Sequence, residues 1–367
     1  MMDMTATPSN DTNISGECKV NGSSDDTYAL TRSLNIMSVV IYSLDFILGV
    51  LGNGVVIWVT GFKMKKTVNT VWILNLAVAD FLFTAFLPFS VIYTALGFHW
   101  PFGKFMCKLD NTVRFLNMFV SVYILVVISV DRCVSVVWPV WAQNHRSVRK
   151  VSGVSLGVWV LGLILSLPSF IFRDIVQSCD NVTIIICYDN YDFSDGCKRP
   201  SELGLLRFKA MTIIHFLLGF VVPFTIIVSC YAVIIHRLRR NRTRASRSSR
   251  PFKIIAAVIT VFFLCWAPFY IMYLIEMWYY IDNVSSGVLK LVITIGVPLA
   301  TSLAYLNSCL NPLLYVFMVQ DFKDKVRKSI LNVFETAFQE EVSHSHTDTT
   351  SVDTSQRLDE SVLNTQV

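Results

Sequence analysis

Of the 367 residues, 53% are hydrophobic and only 16% are charged, and the mean hydropathy is +0.54. A soluble globular domain carries about 25% charged residues, so this composition excludes that class and predicts a membrane protein with several spans. The net charge of +5 does not indicate a nucleic-acid partner, because the basic residues cluster in short loops between apolar stretches.

Seven apolar stretches are long enough to cross a bilayer, which takes about 20 residues of helix. They cover residues 34–60, 71–96, 106–137, 151–172, 205–238, 254–280 and 288–318. The loops after the first, third and fifth stretches are rich in Lys and Arg. Because such basic loops remain in the cytoplasm, we expect an extracellular N-terminus and a cytoplasmic C-terminus.

Four segments follow from this pattern. Residues 1–33 are predicted to be an extracellular tail, 34–320 an all-α bundle of seven transmembrane helices, 321–338 a short amphipathic helix on the inner leaflet, and 339–367 a disordered cytoplasmic tail. The first segment lacks a signal peptide's apolar core, so the first span is expected to act as its own insertion signal. Glycosylation sequons predict glycans in the N-terminal tail and outer loops at Asn10, Asn13, Asn21, Asn181 and Asn283.

Asn53, Asp80 and Asp45 stand out among the polar side chains of the first two spans. An amide in hydrocarbon needs a partner within the bundle, so we expect Asn53 to face Asp80 of the second span. Asp80 is a functional candidate, because a lone carboxylate in a membrane span is costly. Asp45 has two interpretations, a structural role through water or a position on a cavity wall.

The third span carries an unusual charged pair near its outer end. Asp110 and Arg114 are four residues apart and therefore share a helix face. In one interpretation they form an ion pair that closes the top of a pocket. In the other, Arg114 binds the carboxylate of a ligand, because a guanidinium holds that group through two parallel hydrogen bonds.

The outer side of the protein holds an odd number of cysteines, namely Cys18, Cys107, Cys179, Cys187 and Cys197. We predict a disulfide between Cys107 and Cys187, which ties the top of the third span to the outer loop. Cys179 with Cys197 is a weaker second pair, and Cys18 is either free or displaces one of those partners. The outer loop is expected to form a hairpin over the mouth of the bundle, with TIIICY as one strand.

Several motifs occur in order along residues 34 to about 338, namely LGNGVVIW, LNLAVAD, DRC at the end of the third span, FFLCWAPF and NSCLNPLLYVF. This set resembles the signature of rhodopsin-like (class A) G-protein-coupled receptors. DRCVSVVWPVWAQNHRSVR and PFKIIAAVITVFFLCWAPF are similar to the chemoattractant receptors, which include chemerin, formyl-peptide and complement anaphylatoxin receptors and one prostaglandin receptor. Chemerin receptors look nearest, through KMKKTVN, PFKII and PLAT with NSC.

The resemblance implies a plasma-membrane receptor and not an enzyme, with a heterotrimeric G protein and arrestin as partners. It implies no cofactor beyond a structural sodium ion, whose ligands would be Asp80, Asn117, Ser121, Asn307 and Asn311. It also implies an activation switch in which Asp131 holds Arg132 at rest and the sixth span swings about Pro268. The members of this switch are Asp131, Arg132, Tyr231, Phe262, Trp266, Pro268, Pro312 and Tyr315.

A ligand pocket is expected between the spans, above Trp266. Its predicted residues are Asp110, Arg114, Phe115, Met118, His215, Trp266, Phe269, Tyr270, Tyr273 and Glu276. His215 either faces the pocket or has a lipid-facing or purely structural position, and Glu276 pairs either with a basic ligand or with Lys290. Formyl-peptide receptors bind their ligand through an Asp and two Arg where this chain aligns Phe115, Met211 and His215, so we do not expect that mode of recognition.

Three functions remain open at this point. The first is a chemerin-like receptor for a peptide with a free C-terminal carboxylate, coupled to an inhibitory G protein. The second is a receptor for a lipid mediator that carries a carboxylate, and the third is a scavenging receptor that recruits arrestin without G-protein signalling.

Thr365 to Val367 fit a PDZ-domain ligand, and arrestin recruitment is predicted through phosphorylation of Ser343, Ser345, Thr347, Thr349, Thr350 and Ser351.

Overall fold

The computed structural model describes residues 23–178, 183–193, 201–240, 249–281 and 286–318. Its helices are α1 Ser23–Trp58, α2 Val68–Ala95, α3 Gly103–Val137, α4 Pro139–His145, α5 Val148–Phe172, α6 Glu202–Phe216, α7 Val222–Arg240, α8 Ser249–Ile281 and α9 Gly287–Met318. Two strands, β1 Arg173–Gln177 and β2 Ile185–Asp189, follow α5. Two π-helical turns extend α1 as Val59–Lys63 and join α6 to α7 as Leu217–Val221.

Within the described residues, seven helical spans are long and apolar enough to cross a membrane, which confirms the predicted all-α bundle. The fifth span is α6 and α7 together with the π-helical turn between them, and α4 is a short helix in a loop. The first helix begins at Ser23, inside the predicted tail. The amphipathic helix predicted at 321–338 lies outside the described residues, as does the whole separate unit Val319–Val367.

The centre of the bundle is α3, the most buried of the seven spans, with 61% of its most apolar stretch buried. It packs against α2, α5, α7 and α8. Its side chains Phe119, Val120 and Val122 are completely buried, whereas Leu156, Leu163 and Ile164 of α5 are exposed. The apolar residues of the peripheral spans therefore form an outer surface suited to lipid, and α3 reaches both ends of the core.

A β-hairpin covers one end of the bundle, as predicted. The strands β1 and β2 are antiparallel and pair Ile175 with Cys187. Cys187 forms the predicted disulfide with Cys107 at the start of α3, with 5.8 Å between the two Cα atoms. We call this the disulfide end, and we call the opposite end, which carries Lys63–Lys66, Arg146–Lys150 and Arg237–Arg240, the basic end. Cys18, Cys179 and Cys197 lie outside the described residues.

A buried ion pair holds the two ends of the hairpin together. Arg173 opens β1 and lies 3.1 Å from Asp189 at the end of β2, and both side chains are less than a tenth exposed. Burial opposes ionisation of Asp189, but the Arg173 guanidinium keeps the pKa of that carboxyl below its usual range. The hairpin therefore keeps both charges beside the mouth of the bundle.

Asn53 of α1 faces the interior as expected, but its partner differs from the predicted one. Its Nδ2 donates to the carbonyls of Gly49 at 3.0 Å and of Ser308 in α9 at 2.9 Å. Asp80 instead accepts a hydrogen bond from Asn311. The expectation of an Asn53–Asp80 pair was wrong because α1 packs against α9 as well as α2, and the α9 backbone reaches the amide.

A close approach of α1 and α2 at Gly49 generates the first prediction. A Cβ at Gly49 would lie 2.3 Å from Cγ2 of Thr84, which is fully buried and whose hydroxyl donates to the Asp80 carbonyl. Because Thr84 cannot turn away without losing that bond, Gly49→Ala should destabilise the protein by about 1–3 kcal/mol. The measurement is thermal unfolding of the purified protein in detergent.

The matched control is Gly157→Ala in α5, where an added Cβ meets nothing within 4 Å. Removing that glycine should leave stability unchanged or raise it slightly, since alanine restricts the unfolded chain. Equal losses in both variants would contradict close packing of α1 on α2.

Candidate functional site

A cavity of about 40 Å³ lies between α2, α3, α8 and α9. Its walls are Phe83, Asn111, Arg114, Phe115, Asn117, Met118, Trp266, Phe269, Thr301 and Tyr305. A water molecule needs about 10–15 Å³ of such space, so the cavity has room for a few waters. A peptide terminus or an acyl chain therefore enters only if the helices around the cavity separate.

The guanidinium of Arg114 is fixed on the wall of this cavity. Its Nη1 donates to the Tyr305 hydroxyl at 2.7 Å and its Nη2 donates to Ser90 Oγ at 3.2 Å and to the Asp110 carboxylate. Its Nε has no hydrogen-bond partner within the described residues. Asp110 thus occupies the guanidinium edge for which a ligand carboxylate would compete.

The groups that hold Arg114 from the neighbouring spans were not predicted from the sequence. Ser90 lies in α2, and Tyr305, Thr301, Phe83 and Asn111 complete the cavity wall. The available signal was that Ser90 and Tyr305 are polar groups inside apolar spans, where each needs a partner in the bundle. Whether Ser90 and Tyr305 lie level with Arg114 in the bundle depends on how far the helices are shifted along their axes. The sequence does not predict that shift.

Half of the predicted pocket residues line the cavity, namely Arg114, Phe115, Met118, Trp266 and Phe269, and the others lie beside them. The Tyr270 hydroxyl donates to Met118 Sδ at 3.0 Å, and the Tyr273 ring stacks on Phe269 with 5.9 Å between centroids. Glu276 is buried nearby on α8. These side chains support the wall and do not form its surface.

His215 is buried inside the bundle and does not line the cavity, which favours the structural position among those left open for it. Only 3% of the residue is exposed, and its ring lies 4.5 Å from the Phe115 ring and 5.8 Å from the Phe119 ring. Neither ring nitrogen has a hydrogen-bond partner in the part of the chain that the structure describes. His215 therefore lies behind Phe115, one layer away from the cavity.

Asp80 lies at the centre of a second polar cluster and is completely buried. Asn311 donates to its Oδ2 at 2.8 Å. With the Asn117 amide turned so that both its ends are satisfied, Nδ2 donates to Asp80 Oδ1 at 3.2 Å and Oδ1 accepts from Ser308. Ser121 Oγ lies 3.2 Å from the same amide, so the structure brings four of the five expected sodium ligands together.

The donor set of this cluster suits a small hard cation. A carboxylate, a hydroxyl and amide oxygens are the ligands that such ions prefer, and Asn311 Oδ1 is a buried acceptor with no donor within the described residues. Asn307 is also buried, and its Nδ2 has no hydrogen-bond partner within the described residues. Asp45 lies apart from the cluster, where its carboxylate accepts from the Cys309 thiol.

The predicted switch residues of α8 form an aromatic column below the cavity. The Trp266 ring lies 5.6 Å from Phe269 on the cavity side and 5.9 Å from Phe262 on the other. Trp266 Nε1 has no hydrogen-bond partner among the described residues. Pro268 lies within α8 and Pro312 within α9, and both helices continue beyond these prolines, although each proline lacks the N–H for one backbone hydrogen bond.

At the basic end, Asp131 and Arg132 make their closest contacts with other residues. Arg132 Nε is 3.8 Å from Asp131 Oδ2, but its Nη2 donates to Asn69 of α2. Asp131 accepts two hydrogen bonds of 2.8 Å from Arg146. The Tyr231 hydroxyl has no hydrogen-bond partner in the described part of the chain, and the side chain of Tyr315 lies outside it.

Residues 52–315, well over half of the chain, match the family described as "7 transmembrane receptor (rhodopsin family)". The chain belongs to this family. It is 46% identical over 321 residues to chemerin-like receptor 1 of Bos taurus, an alignment that covers 86% of this chain and 85% of the bovine one. The receptor also resembles the C3a anaphylatoxin chemotactic receptor of Oncorhynchus mykiss, at 44% identity over 85% of this chain and 82% of the trout protein.

A third relative is N-formyl peptide receptor 3 of Homo sapiens, at 40% identity over 86% of this chain and 89% of the human one. Together these relatives show a chemoattractant-type G-protein-coupled receptor, which is a multi-pass membrane protein and not an enzyme. Its partners are accordingly an extracellular ligand and a heterotrimeric G protein.

The unpartnered imidazole of His215 generates the second prediction. A buried polar group without a hydrogen bond costs about 1–3 kcal/mol, and leucine has nearly the volume of histidine. His215→Leu should therefore raise the free energy of unfolding by about 1 kcal/mol or more, measured as an increased melting temperature of the purified receptor.

Asn53→Leu is the matched control, because it removes a buried amide that makes two hydrogen bonds. That variant should melt at a lower temperature than the wild type. A loss of stability in His215→Leu comparable to that in Asn53→Leu would mean that the imidazole has a polar partner in the folded receptor.

Proposed function

We propose that the receptor binds an extracellular peptide through the peptide's free C-terminal carboxylate and signals through an inhibitory-class G protein. The observation that carries the proposal is the Arg114 guanidinium, held on the cavity wall by Tyr305 and Ser90. The similarity to chemerin-like receptor 1 supports a chemerin-like peptide as the ligand. The carboxylate would accept hydrogen bonds from the edge of Arg114 that now faces Asp110.

The contacts of Arg114 suggest how binding changes the receptor. Arg114 joins α3 to α2 through Ser90 and to α9 through Tyr305, so a carboxylate that draws the guanidinium toward itself loosens both links. A ligand shifts a two-state equilibrium only through such differential contacts. The small volume of the cavity adds to this effect, because the ligand binds only the state in which the cavity is wider.

The aromatic column then carries the change toward the basic end. A ligand that widens the cavity presses on Phe269 and Trp266, whose rings continue to Phe262. Movement of α8 about Pro268 would open the basic end, where Arg132 would leave its resting contacts and join Tyr231 and Tyr315 against the G protein. This order of events assigns a role to six of the eight residues of the predicted switch.

The proposed orientation places the disulfide end outside the cell. A disulfide persists in an oxidising compartment, and the Lys and Arg residues of the basic end fit the cytoplasmic side of the plasma membrane. This orientation exposes the glycosylation sites to the extracellular side and the C-terminal tail to arrestin and a PDZ-domain protein. Those sites, Asn10, Asn13, Asn21, Asn181, Asn283, Ser343 to Ser351 and Thr365 to Val367, lie outside the described residues.

A carboxylate lipid mediator is the second candidate ligand. The observation in its favour is the aromatic lining of the cavity, to which Phe83, Phe115, Phe269 and Trp266 contribute. An acyl chain would pack on these rings while its carboxylate occupies the same edge of Arg114. The two candidates therefore share one anion site and differ in the apolar group that accompanies it.

We also propose that sodium binds at Asp80 and favours the resting receptor. Asp80, Ser121 and the amide oxygen of Asn311 would hold the ion, the Asn117 amide would turn its oxygen from Ser308 toward it, and Asn307 would contribute after a side-chain rotation. The ion supplies a positive charge that neutralises a carboxylate buried in the bundle. The polar side chains of α2, α3 and α9 would surround the bound ion and so hold these three helices together.

The peptide proposal is tested by inhibition of cyclic AMP formation, with a chemerin C-terminal peptide applied as the free acid and as the amide. Wild type should respond to the free acid at a concentration at least about tenfold lower, since a hydrogen bond to a charged group contributes about 1.5–3 kcal/mol. In the double variant Asp110→Asn, Arg114→Gln the two peptides should become equipotent. Changing both residues avoids leaving a buried charge without its partner.

Lys104→Gln is the control, because it removes a cation at the same end that is 57% exposed and pairs with Asp174. Preference for the free acid should persist in that variant. Silence of a surface-expressed wild type toward both peptides would reject the peptide ligand, and fatty acids would then be tested on the same variants.

The sodium proposal predicts a sodium-specific gain in stability. At a sodium concentration ten times its dissociation constant, binding adds about 1.4 kcal/mol, so the melting temperature should be higher in NaCl than in KCl at equal ionic strength. Asp80→Asn should abolish the difference. Asp45→Asn, which removes a buried carboxylate outside the cluster, should keep it, and equal behaviour of the two variants would contradict the site.

A further inference from the structure

At the basic end, a residue outside the predicted switch holds the Asp131 carboxylate. Arg146 Nε donates to Oδ1 and its Nη2 donates to Oδ2, each at 2.8 Å. This is the two-bond arrangement in which a guanidinium binds a carboxylate most strongly. The Asp131 side chain is 13% exposed and that of Arg146 is 28% exposed, so solvent screens the pair only partly.

Because Arg146 binds the Asp131 carboxylate, Arg132 lies farther from that carboxylate. Arg132 Nε lies 3.8 Å from Asp131 Oδ2, and its terminal nitrogen donates to Asn69. Both carboxylate oxygens already accept from Arg146, so Arg132 remains within ion-pair distance without a direct hydrogen bond. The two arginines therefore compete for one carboxylate, and Arg146 has the better geometry.

Arg146 follows directly on α4, the short helix Pro139–His145 in the loop after α3. Its backbone nitrogen donates to the carbonyl of Ala142, a buried residue of that helix, at 2.9 Å. The contact to Asp131 therefore fixes the end of α4 against the end of α3. A displacement of α4 changes which arginine Asp131 holds.

We propose that Arg146 is a positioning residue for G-protein coupling, which keeps Arg132 available by occupying the Asp131 carboxylate. The inference rests on the proposed switch role of Asp131 and Arg132. It adds that the position of the loop helix α4 controls which arginine binds Asp131. Without Arg146, the nearest described cation to Asp131 is Arg132, and a movement of about 1 Å brings that pair within hydrogen-bond distance. Arg132 is then held more tightly and coupling falls.

The test measures nucleotide exchange on a purified inhibitory-class G protein by the full-length receptor in lipid nanodiscs. Exchange is recorded without ligand and with the chemerin C-terminal peptide. Arg146→Gln should reduce the exchange rate about fivefold. Arg149→Gln is the charge-matched control, since Arg149 is exposed and makes no hydrogen bond or ion pair within the described residues, and it should exchange nucleotide as the wild type does.

The deciding variant is the double substitution Asp131→Asn, Arg146→Gln. If Arg146 acts by occupying Asp131, removal of the carboxylate restores exchange to at least the wild-type rate, because Arg132 then keeps only its contact with Asn69, as in the wild type. If Arg146 instead contacts the G protein or only maintains the loop, the double variant stays as slow as Arg146→Gln. That result would overturn the proposal.

Melting temperatures of the wild type, Arg146→Gln, Asp131→Asn and the double variant test the contact without a G protein. Arg146→Gln should lower the melting temperature by about 2–4 °C in the wild-type background and by much less in the Asp131→Asn background, because the partner is already gone. Equal shifts in both backgrounds would overturn the proposal. Absence of exchange by the wild type would count against inhibitory coupling, and the melting temperatures would still decide the role of Arg146.

Discussion

Hydrocarbon offers no hydrogen-bond partner, and this constraint determines how the polar groups of the central helix are paired. α3 carries a charged or amide group near each end and in its middle, and each is satisfied by a different neighbour. Arg114 reaches Tyr305 of α9 and Ser90 of α2, Asn117 reaches Asp80 and Ser308, and Asp131 reaches Arg146. The polar contacts of one helix therefore hold much of the bundle in register.

The same constraint makes these contacts suitable for signalling. A buried polar group that loses one partner must find another, because leaving it unpaired costs several kcal/mol. Each of these polar groups on α3 therefore has a small number of discrete hydrogen-bonding arrangements. A carboxylate at Arg114, a cation at Asp80 and a displaced α4 at Asp131 each favour one arrangement over another, and the rigid helix between them connects the three sites.

Several elements followed directly from the sequence. The length and composition of the apolar stretches gave the seven spans, and the ordered motifs indicated the rhodopsin family that the comparison with known proteins then showed. The disulfide of Cys107 with Cys187 and the hairpin above the bundle were also predicted. These features depend on local chemistry, on spacing along the chain or on motifs whose order is visible in the sequence.

The sequence by itself determined which residues are polar in an apolar span, and hence that Arg114, Asp80, Asn53 and Asp131 each need a partner. Only the tertiary structure decided the partners, which are Tyr305, Asn311, the Ser308 carbonyl and Arg146. The physical reason is that each partner belongs to another helix or loop. The axial offset and rotation of packed helices set these pairs, and side-chain packing across the whole bundle fixes both.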